Sequence, residues 1–269
     1  GLRGPHLNIF LPRNADADTV ATAGLPAADM VAAIRAQGGL TSYNHLFGTG
    51  SSRECPATDS SARVAAVVDN LLASRAFGAD LIEIGYLCRG SADLDTHLRT
   101  WDTLTANRLL LVGTGVTDTH GNRWSSRMQP NPFSTWVLAE STDRAALLDG
   151  LRAGHVYFGN QFLWDGRFEL SVGQAAMGEA LVTSRATVEL SYRLDPLPAG
   201  ARVYLVQGEF DPADRYAVNY LHAQTDITAD PTVAISSAGS SFVRLEVYRD
   251  TAGGPPQPLV FSNVILINP

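Results

Sequence analysis

The chain has 269 residues, of which 45% are hydrophobic and 17% are charged, a balance typical of a folded protein and not of a disordered one. Its formal net charge of −7 argues against a nucleic-acid-binding surface, which would need a basic stripe. No apolar run approaches the roughly 20 residues that a membrane-spanning helix requires.

Helices and strands are predicted to alternate in the first part of the chain. Each helix is indicated by Ala-rich composition or by apolar residues at three- and four-residue spacing, and each strand by a short apolar run. The predicted pairs are 26–37 with 40–44, 61–77 with 80–86, and 94–107 with 109–116, followed by a strand at 134–139, a helix at 142–153 and a strand at 155–159. Successive helix-to-strand units favour parallel strands with crossover helices, and therefore an α/β sheet or barrel.

The pattern changes near residue 165, where helical periodicity gives way to short alternating segments separated by turn-rich stretches. The predicted strands are 168–172, 187–192, 202–207, 243–248 and 259–267. This pattern predicts an antiparallel, immunoglobulin-like sandwich of about seven strands. We therefore expect two parts, an α/β part over 1–165 and a β-sandwich over 166–269.

The residues best placed for chemistry follow the predicted strands. In α/β barrels, catalytic groups lie where the loops leave the carboxyl ends of the strands. His45 follows the strand at 40–44, and Asp118 and His120 follow the strand at 109–116. Because residues two apart in extended backbone point to the same side, Asp118 and His120 would project together and suit zinc, iron or manganese. An Asp–His pair that only orients a loop is the alternative.

Two further polar residues lie within predicted elements. Glu83 stands between Ile82 and Ile84, and a carboxylate in an otherwise apolar strand is either paired or exposed on the face away from the helices. His97, beside Arg99 in the third helix, is predicted to face solvent.

The two cysteines, Cys55 and Cys88, match no CxxC metal or redox spacing. They are either unrelated thiols or a disulfide between two loops that leave the same end of the sheet. A disulfide would indicate an extracytoplasmic protein, periplasmic or secreted, whereas free thiols would leave a cytoplasmic location open.

Several short segments, taken in order, resemble the PHP (polymerase and histidinol phosphatase) superfamily of metal-dependent hydrolases, in particular its CehA/McbA-like branch. The segments that carry the resemblance are Gly4 to Phe10, Gly38 to His45, Leu81 to Ile84, Val112 to His120, Leu147 to Asn160 and Phe261 to Ile265. The resemblance implies the C-terminal part of a distorted (β/α)7-type PHP barrel, followed by the β-sandwich.

The resemblance also implies a metal site of up to three zinc, manganese or iron ions. Its ligands in this chain would be His6, His45, Asp118 and His120, with Asp118 and His120 central to catalysis. Such ions would polarise the ester and lower the pKa of a bound water to give a hydroxide nucleophile. The substrate would be a small phosphoester, or a carbamate or carboxylic ester.

The resemblance implies that Glu83 lines the substrate pocket, and Arg89, Arg127 and also Arg123 are candidates for recognising a phosphate. The alternative for at least two of these arginines is that they only pair with surface carboxylates. The opening HxH motif of the superfamily has no counterpart in this sequence. We therefore expect a missing N-terminal segment or a companion polypeptide to supply the other ligands, and the chain alone to be inactive.

A non-catalytic binding or scaffolding protein is the alternative function. In that case the sandwich would attach to a glycan or a protein partner through a row of exposed aromatic side chains. The candidates are Trp164, Tyr192, Tyr204, Tyr216, Tyr220 and Tyr248.

Overall fold

The structure is a computed structural model that describes residues 5–12, 24–50, 55, 61–119, 131–210 and 223–268. Within these residues the α-helices are Ala27–Ala36 (α1), Ser61–Ser74 (α2), Leu94–Ala106 (α3) and Arg144–Ala153 (α4), and a short 3-10 turn, Arg75–Gly78, follows α2. The first eight strands are His6–Phe10 (β1), Leu40–Asn44 (β2), Leu81–Gly85 (β3), Cys88–Arg89 (β4), Ala92–Asp93 (β5), Val112–Gly115 (β6), Phe133–Val137 (β7) and Val156–Asn160 (β8). The remaining strands are Arg167–Val172 (β9), Ala175–Ala176 (β10), Ala180–Val182 (β11), Thr187–Asp195 (β12), Ala201–Glu209 (β13), Ala223–Asp226 (β14), Thr232–Ser236 (β15), Ser241–Thr251 (β16), Gly254–Ser262 (β17) and Ile265–Asn268 (β18).

The first sheet has the strand order β1-β2-β3-β6. Strands β2, β3 and β6 are parallel, and α2 and α3 are the crossover helices between them. Strand β1 lies at the edge and pairs antiparallel with β2, with His6 opposite Asn44. The carboxyl ends of β2, β3 and β6 therefore meet at one edge of the sheet.

Two mainly antiparallel sheets follow, one of four strands and one of eight. One sheet has the order β10-β9-β12-β15. The other has the order β11-β18-β16-β17-β8-β7, and in it β13 also pairs with β16 while β14 pairs with β13. Burial alternates along β12, as expected when one face of a strand packs on a core and the other faces water. The shared core contains Phe168, Leu190, Val203 and Leu245.

A second hydrophobic core lies between the first sheet and its helices. Trp101 of α3 contacts Phe158 of β8, with ring centroids 6.1 Å apart, and Phe158 stacks on Phe261 at 5.5 Å. Because Phe158 and Phe261 belong to the eight-stranded sheet, the parallel sheet and the antiparallel region are packed against each other through buried aromatic rings.

The predicted fold class, part of a (β/α)7-type PHP barrel followed by an immunoglobulin-like sandwich, is wrong. With eighteen strands and four α-helices among the described residues, the fold is β-rich. The β7–α4–β8 segment has the element order of a parallel unit, but β7 and β8 pair antiparallel, with Phe133 opposite Asn160, and join the eight-stranded sheet. The sequence pattern predicts element types, whereas strand direction depends on pairings that it does not encode.

The predicted division into 1–165 and 166–269 stays a prediction. Strand β8 lies before this boundary and pairs with β17 beyond it, with Phe158 opposite Phe261. One sheet therefore contains strands from both predicted parts.

Candidate functional site

A cluster of polar side chains lies at the edge where the parallel strands end. His45 follows β2 directly, Glu83 lies within β3, Tyr86 follows β3, and Asp118 comes three residues after β6. His45 and Asp118 have positive φ angles, 55° and 48°, which non-glycine residues adopt rarely and at a cost. The chain therefore turns sharply at both residues.

The His45 imidazole is held through its Nδ1 atom. Nδ1 lies 3.2 Å from the Tyr86 hydroxyl and 3.3 Å from Glu83 Oε2. The Tyr86 hydroxyl donates its proton to Glu83 Oε2, so the hydrogen between Tyr86 and His45 must come from Nδ1. A neutral His45 with this tautomer carries its lone pair on Nε2.

That lone pair faces a carboxylate. His45 Nε2 lies 3.8 Å from Asp118 Oδ1. Two acceptors at this separation repel each other unless a proton or a cation lies between them. Because ligand–metal bonds are about 2.0–2.2 Å long, both atoms could contribute to holding one cation. A protonated His45 paired with Asp118 is the alternative arrangement.

His6 brings a second imidazole to the cluster. Its position opposite Asn44 in the β1–β2 pair places it beside His45, and the two rings lie 5.4 Å apart, edge to face. Three of the predicted ligands, His6, His45 and Asp118, thus occupy one region. The fourth, His120, lies outside the described residues.

Glu83 is almost completely buried, with 2% of its surface exposed. Burial raises the pKa of its carboxyl group to about 7; the Tyr86 hydrogen bond lowers it, the nearby Asp118 charge raises it, and Arg89 lowers it. With its amide oriented to satisfy its neighbours, Asn44 donates to Glu83 Oε1 at 3.1 Å. Burial also raises the pKa of Tyr86, and the Glu83 charge adds to this effect.

Arg89 supplies the positive charge of the cluster. Its guanidinium forms an ion pair with Asp118 Oδ2 and lies over the Tyr86 ring, 5.7 Å from the centroid. The residue is 6% exposed, and its Nε–H has no hydrogen-bond acceptor within the part of the chain that the structure describes. The other arginines considered for substrate binding, Arg127 and Arg123, lie outside the described residues.

The described residues do not form a complete metal site. No group of three or more His, Cys, Asp or Glu side chains within the described ranges is arranged to hold an ion. His45 and Asp118 supply one nitrogen and one oxygen donor with suitable spacing. This donor chemistry fits zinc, manganese or iron, and further donors would have to come from elsewhere.

His97 differs from its prediction as a solvent-facing residue. It is fully buried: its Nδ1 donates to the Asp93 carbonyl at 2.8 Å, and its ring contacts Phe47 and Tyr86. Burial lowers its pKa to about 4. The prediction failed because α3 is covered on more than one side, which the polar neighbour Arg99 does not reveal.

The bond between Cys55 and Cys88 is present, and their Cα atoms lie 5.4 Å apart. Of the two alternatives that the sequence left open, unrelated thiols and a disulfide, the structure has the disulfide. Sequence reasoning missed the role of Tyr86. Its position directly after a strand that carries a buried carboxylate is the signal that could have identified it.

A scan against protein-family models, a search among curated proteins and a search among solved structures each found no match. The resemblance to the PHP superfamily therefore stays a prediction. No helix in the described part of the chain is both long and apolar enough to cross a membrane.

Proposed function

We propose that this protein binds a divalent cation between His45 and Asp118 and takes part in the metal-dependent hydrolysis of an ester. The observation that supports the proposal is the geometry of His45. Its Nδ1 is engaged by Tyr86 and Glu83, and its Nε2 faces Asp118 Oδ1 at 3.8 Å. Metal-binding histidines commonly have this arrangement, in which a carboxylate behind the ring fixes the tautomer and strengthens the ligand.

Each side chain would have a separate task in such a site. His45 and Asp118 would hold the cation, with His6 and His120 as further ligands, and Glu83 with Tyr86 would orient His45. A cation bound there would polarise the ester and acidify a bound water. Arg89 would pair with an anionic group of the substrate, a task that a phosphoester requires and a neutral carbamate or carboxylic ester does not.

The expectation of a companion polypeptide or further segment is supported by β1. This strand pairs with β2 on one side, and among the described residues no strand pairs with its other edge. Ile9 and Phe10 on β1 are 39% and 37% exposed. An added strand would cover these side chains, satisfy the open edge and bring new side chains close to His6.

The alternative of a glycan-binding sandwich has less support. Trp164 and Tyr192 are buried, and their polar atoms donate to the carbonyls of Pro196 and Ile227. Tyr204 and Tyr248 contact each other edge to face. Within the described residues the exposed large apolar side chains include no Trp or Tyr. Tyr216 and Tyr220 lie outside the described residues.

An extracytoplasmic location is part of the proposal. The Cys55–Cys88 disulfide supports it, because disulfides form and persist in oxidising compartments such as the periplasm or the extracellular space.

The deciding experiment measures Mn²⁺ and Zn²⁺ binding to the purified chain by titration calorimetry. We expect His45→Ala and Asp118→Ala to weaken binding about a hundredfold or more, since each removes a donor. The matched control is His155→Ala, because His155 also lies 3.3 Å from a carboxylate, that of Glu179, but directly precedes β8 and does not belong to the cluster at the carboxyl ends of the parallel strands. Unchanged affinity in both site variants would overturn the proposal.

Measurements of turnover test whether hydrolysis requires a companion polypeptide in addition to the cation. Esterase and phosphodiesterase activity of the isolated chain with added Mn²⁺ or Zn²⁺ is compared with that of the complete native material. We expect activity only in the latter. Equal turnover by the isolated chain, lost in Asp118→Ala, would show that no companion is needed.

A further inference from the structure

The Cys55–Cys88 disulfide joins the two loops that carry the site. Cys55 lies in the loop that begins with His45, and Cys88 is the residue directly before Arg89. Cys88 is 2% exposed, whereas Cys55 is half-buried. The bond thus fastens the β4–β5 hairpin, and Arg89 with it, to the loop that follows β2.

Other contacts show how closely the hairpin packs against that loop. Gly90 N–H donates to the Gly50 carbonyl at 2.6 Å. Arg63 of α2 donates to the Gly90 carbonyl at 2.5 Å and also to the Phe47 carbonyl. Gly90 has a φ of +57°, and a Cβ added there would overlap the Phe47 carbonyl group. These contacts and the disulfide together hold the hairpin against the loop that follows β2.

Arg89 is the residue through which the hairpin reaches the site. Its guanidinium is ion-paired with Asp118 Oδ2, while Asp118 Oδ1 faces His45. A cation bound at Asp118 Oδ1 would therefore lie a few ångströms from the positive charge of Arg89, which is paired with the other oxygen of the same carboxylate. Like charges at that distance repel in a partly buried site, so a firmly held Arg89 weakens cation binding.

We propose that the Cys55–Cys88 disulfide is a positioning element of the cation site, which holds Arg89 against Asp118 and so limits the cation affinity. This inference rests on the proposed cation binding by His45 and Asp118. A dithiol reductant would break the bond by exchange: the two cysteine sulfurs gain two electrons and two protons, and the reductant becomes a disulfide. The freed hairpin would loosen the Arg89–Asp118 pair.

The test is a double-mutant cycle with Mn²⁺ as the probe. In the full chain, Cys55→Ser combined with Cys88→Ser is expected to tighten Mn²⁺ binding about tenfold, and Arg89→Gln alone by a similar factor. In the Arg89→Gln background the serine changes should add less than about twofold, since the charge through which they act is gone. An equal effect of the serine changes in both backgrounds would overturn the proposal.

Hydrogen exchange tests the positioning role without reference to cation binding. On reduction of the wild-type chain with dithiothreitol, amides of residues 86–93 should exchange faster, while those of α3 beyond Trp101 keep their protection. Unchanged protection of 86–93 would overturn the positioning role. If no variant binds Mn²⁺, the proposed function fails and the limit on cation affinity fails with it, even if faster exchange of 86–93 shows that the disulfide holds the hairpin.

Discussion

Two clusters of charged side chains have similar components and differ in how those components are paired. The strand-end cluster lies around Arg89 at the carboxyl ends of the parallel strands, and the Arg244 cluster lies between α3 and β16. Arg244 donates to both Asp102 oxygens at 2.7 Å and to Glu246 Oε1 at 2.7 Å, and Tyr248 donates to Glu246 Oε2 at 3.0 Å. Every carboxylate oxygen of that cluster thus accepts a hydrogen bond. Arg244, Asp102 and Glu246 are buried, and they lie between α3 and β16.

The strand-end cluster is arranged differently. There Asp118 has 17% of its side chain exposed, and its Oδ1 lies 3.8 Å from His45 Nε2. In the Arg244 cluster the carboxylates are paired by members of the cluster itself, while Arg244 Nη1 has no hydrogen-bond partner among the described residues. The comparison contrasts the proposed cation site, which is partly open to solvent, with a buried cluster that holds two layers together.

The largest expected effect is on stability and comes from a substitution that breaks the Arg244 cluster. Arg244→Met leaves Asp102 and Glu246 buried without their cation, and we expect a loss of about 3–5 kcal/mol in the free energy of unfolding. Urea denaturation measures it. The matched control is Arg202→Met, because Arg202 also pairs with two carboxylates, Asp226 and Asp250, but at the surface. An equal loss in both variants would contradict the role of burial.

The second prediction concerns His97, which lies next to the site but is buried like the Arg244 cluster. Its folded-state pKa of about 4 lies below its ordinary value of 6.5. At pH values between about 4 and 6.5 the unfolded chain binds a proton at His97 and the folded chain does not, which favours unfolding. The contribution of neutral His97 to stability is therefore complete above pH 6.5 and is lost as the pH falls towards 4. The loss is roughly 3 kcal/mol.

Urea denaturation at pH 7 and at pH 4.5 measures this effect. The difference in stability between the two pH values should be smaller in His97→Leu than in the wild type. Leu104→Ala, which removes buried apolar atoms of the same helix without removing a titrating group, should keep the wild-type difference. The same pH dependence in His97→Leu as in the wild type would exclude His97 as its source.

The two regions also differ in how much the sequence could predict. The helix predicted over 61–77 is observed as α2, 61–74, and the strand predicted at 80–86 is observed as β3, 81–85. Both rest on local apolar periodicity. The pairing of β7 with β8 is antiparallel in spite of the helix between them, because strand direction is decided by partners elsewhere in the sheet.

The same limit applies to the side chains. His45, Glu83 and Asp118 could be located from the sequence because each lies in or just after a recognisable strand, although their role as a cation site stays a prediction. The pairing of Asp102 with Arg244 could not be predicted from the sequence, because the two residues are 142 positions apart and neither lies in a motif. Positions along one strand are encoded locally, whereas contacts between layers follow from the tertiary packing.

The smallest expected effect is on Mn²⁺ affinity and concerns Tyr86, which belongs to the cluster at the strand ends. Tyr86→Phe removes the hydroxyl that links Glu83 to His45 Nδ1, and we expect Mn²⁺ affinity to fall about tenfold, at the lower end for a group behind a metal ligand. The effect is limited because Glu83 Oε2, 3.3 Å from Nδ1, can accept its hydrogen directly. The control is Tyr192→Phe, which removes a buried hydroxyl bonded to the Ile227 carbonyl in the antiparallel region. Titration calorimetry should show unchanged affinity for Tyr192→Phe; if both variants bind Mn²⁺ like the wild type, Tyr86 packs near His45 without orienting it.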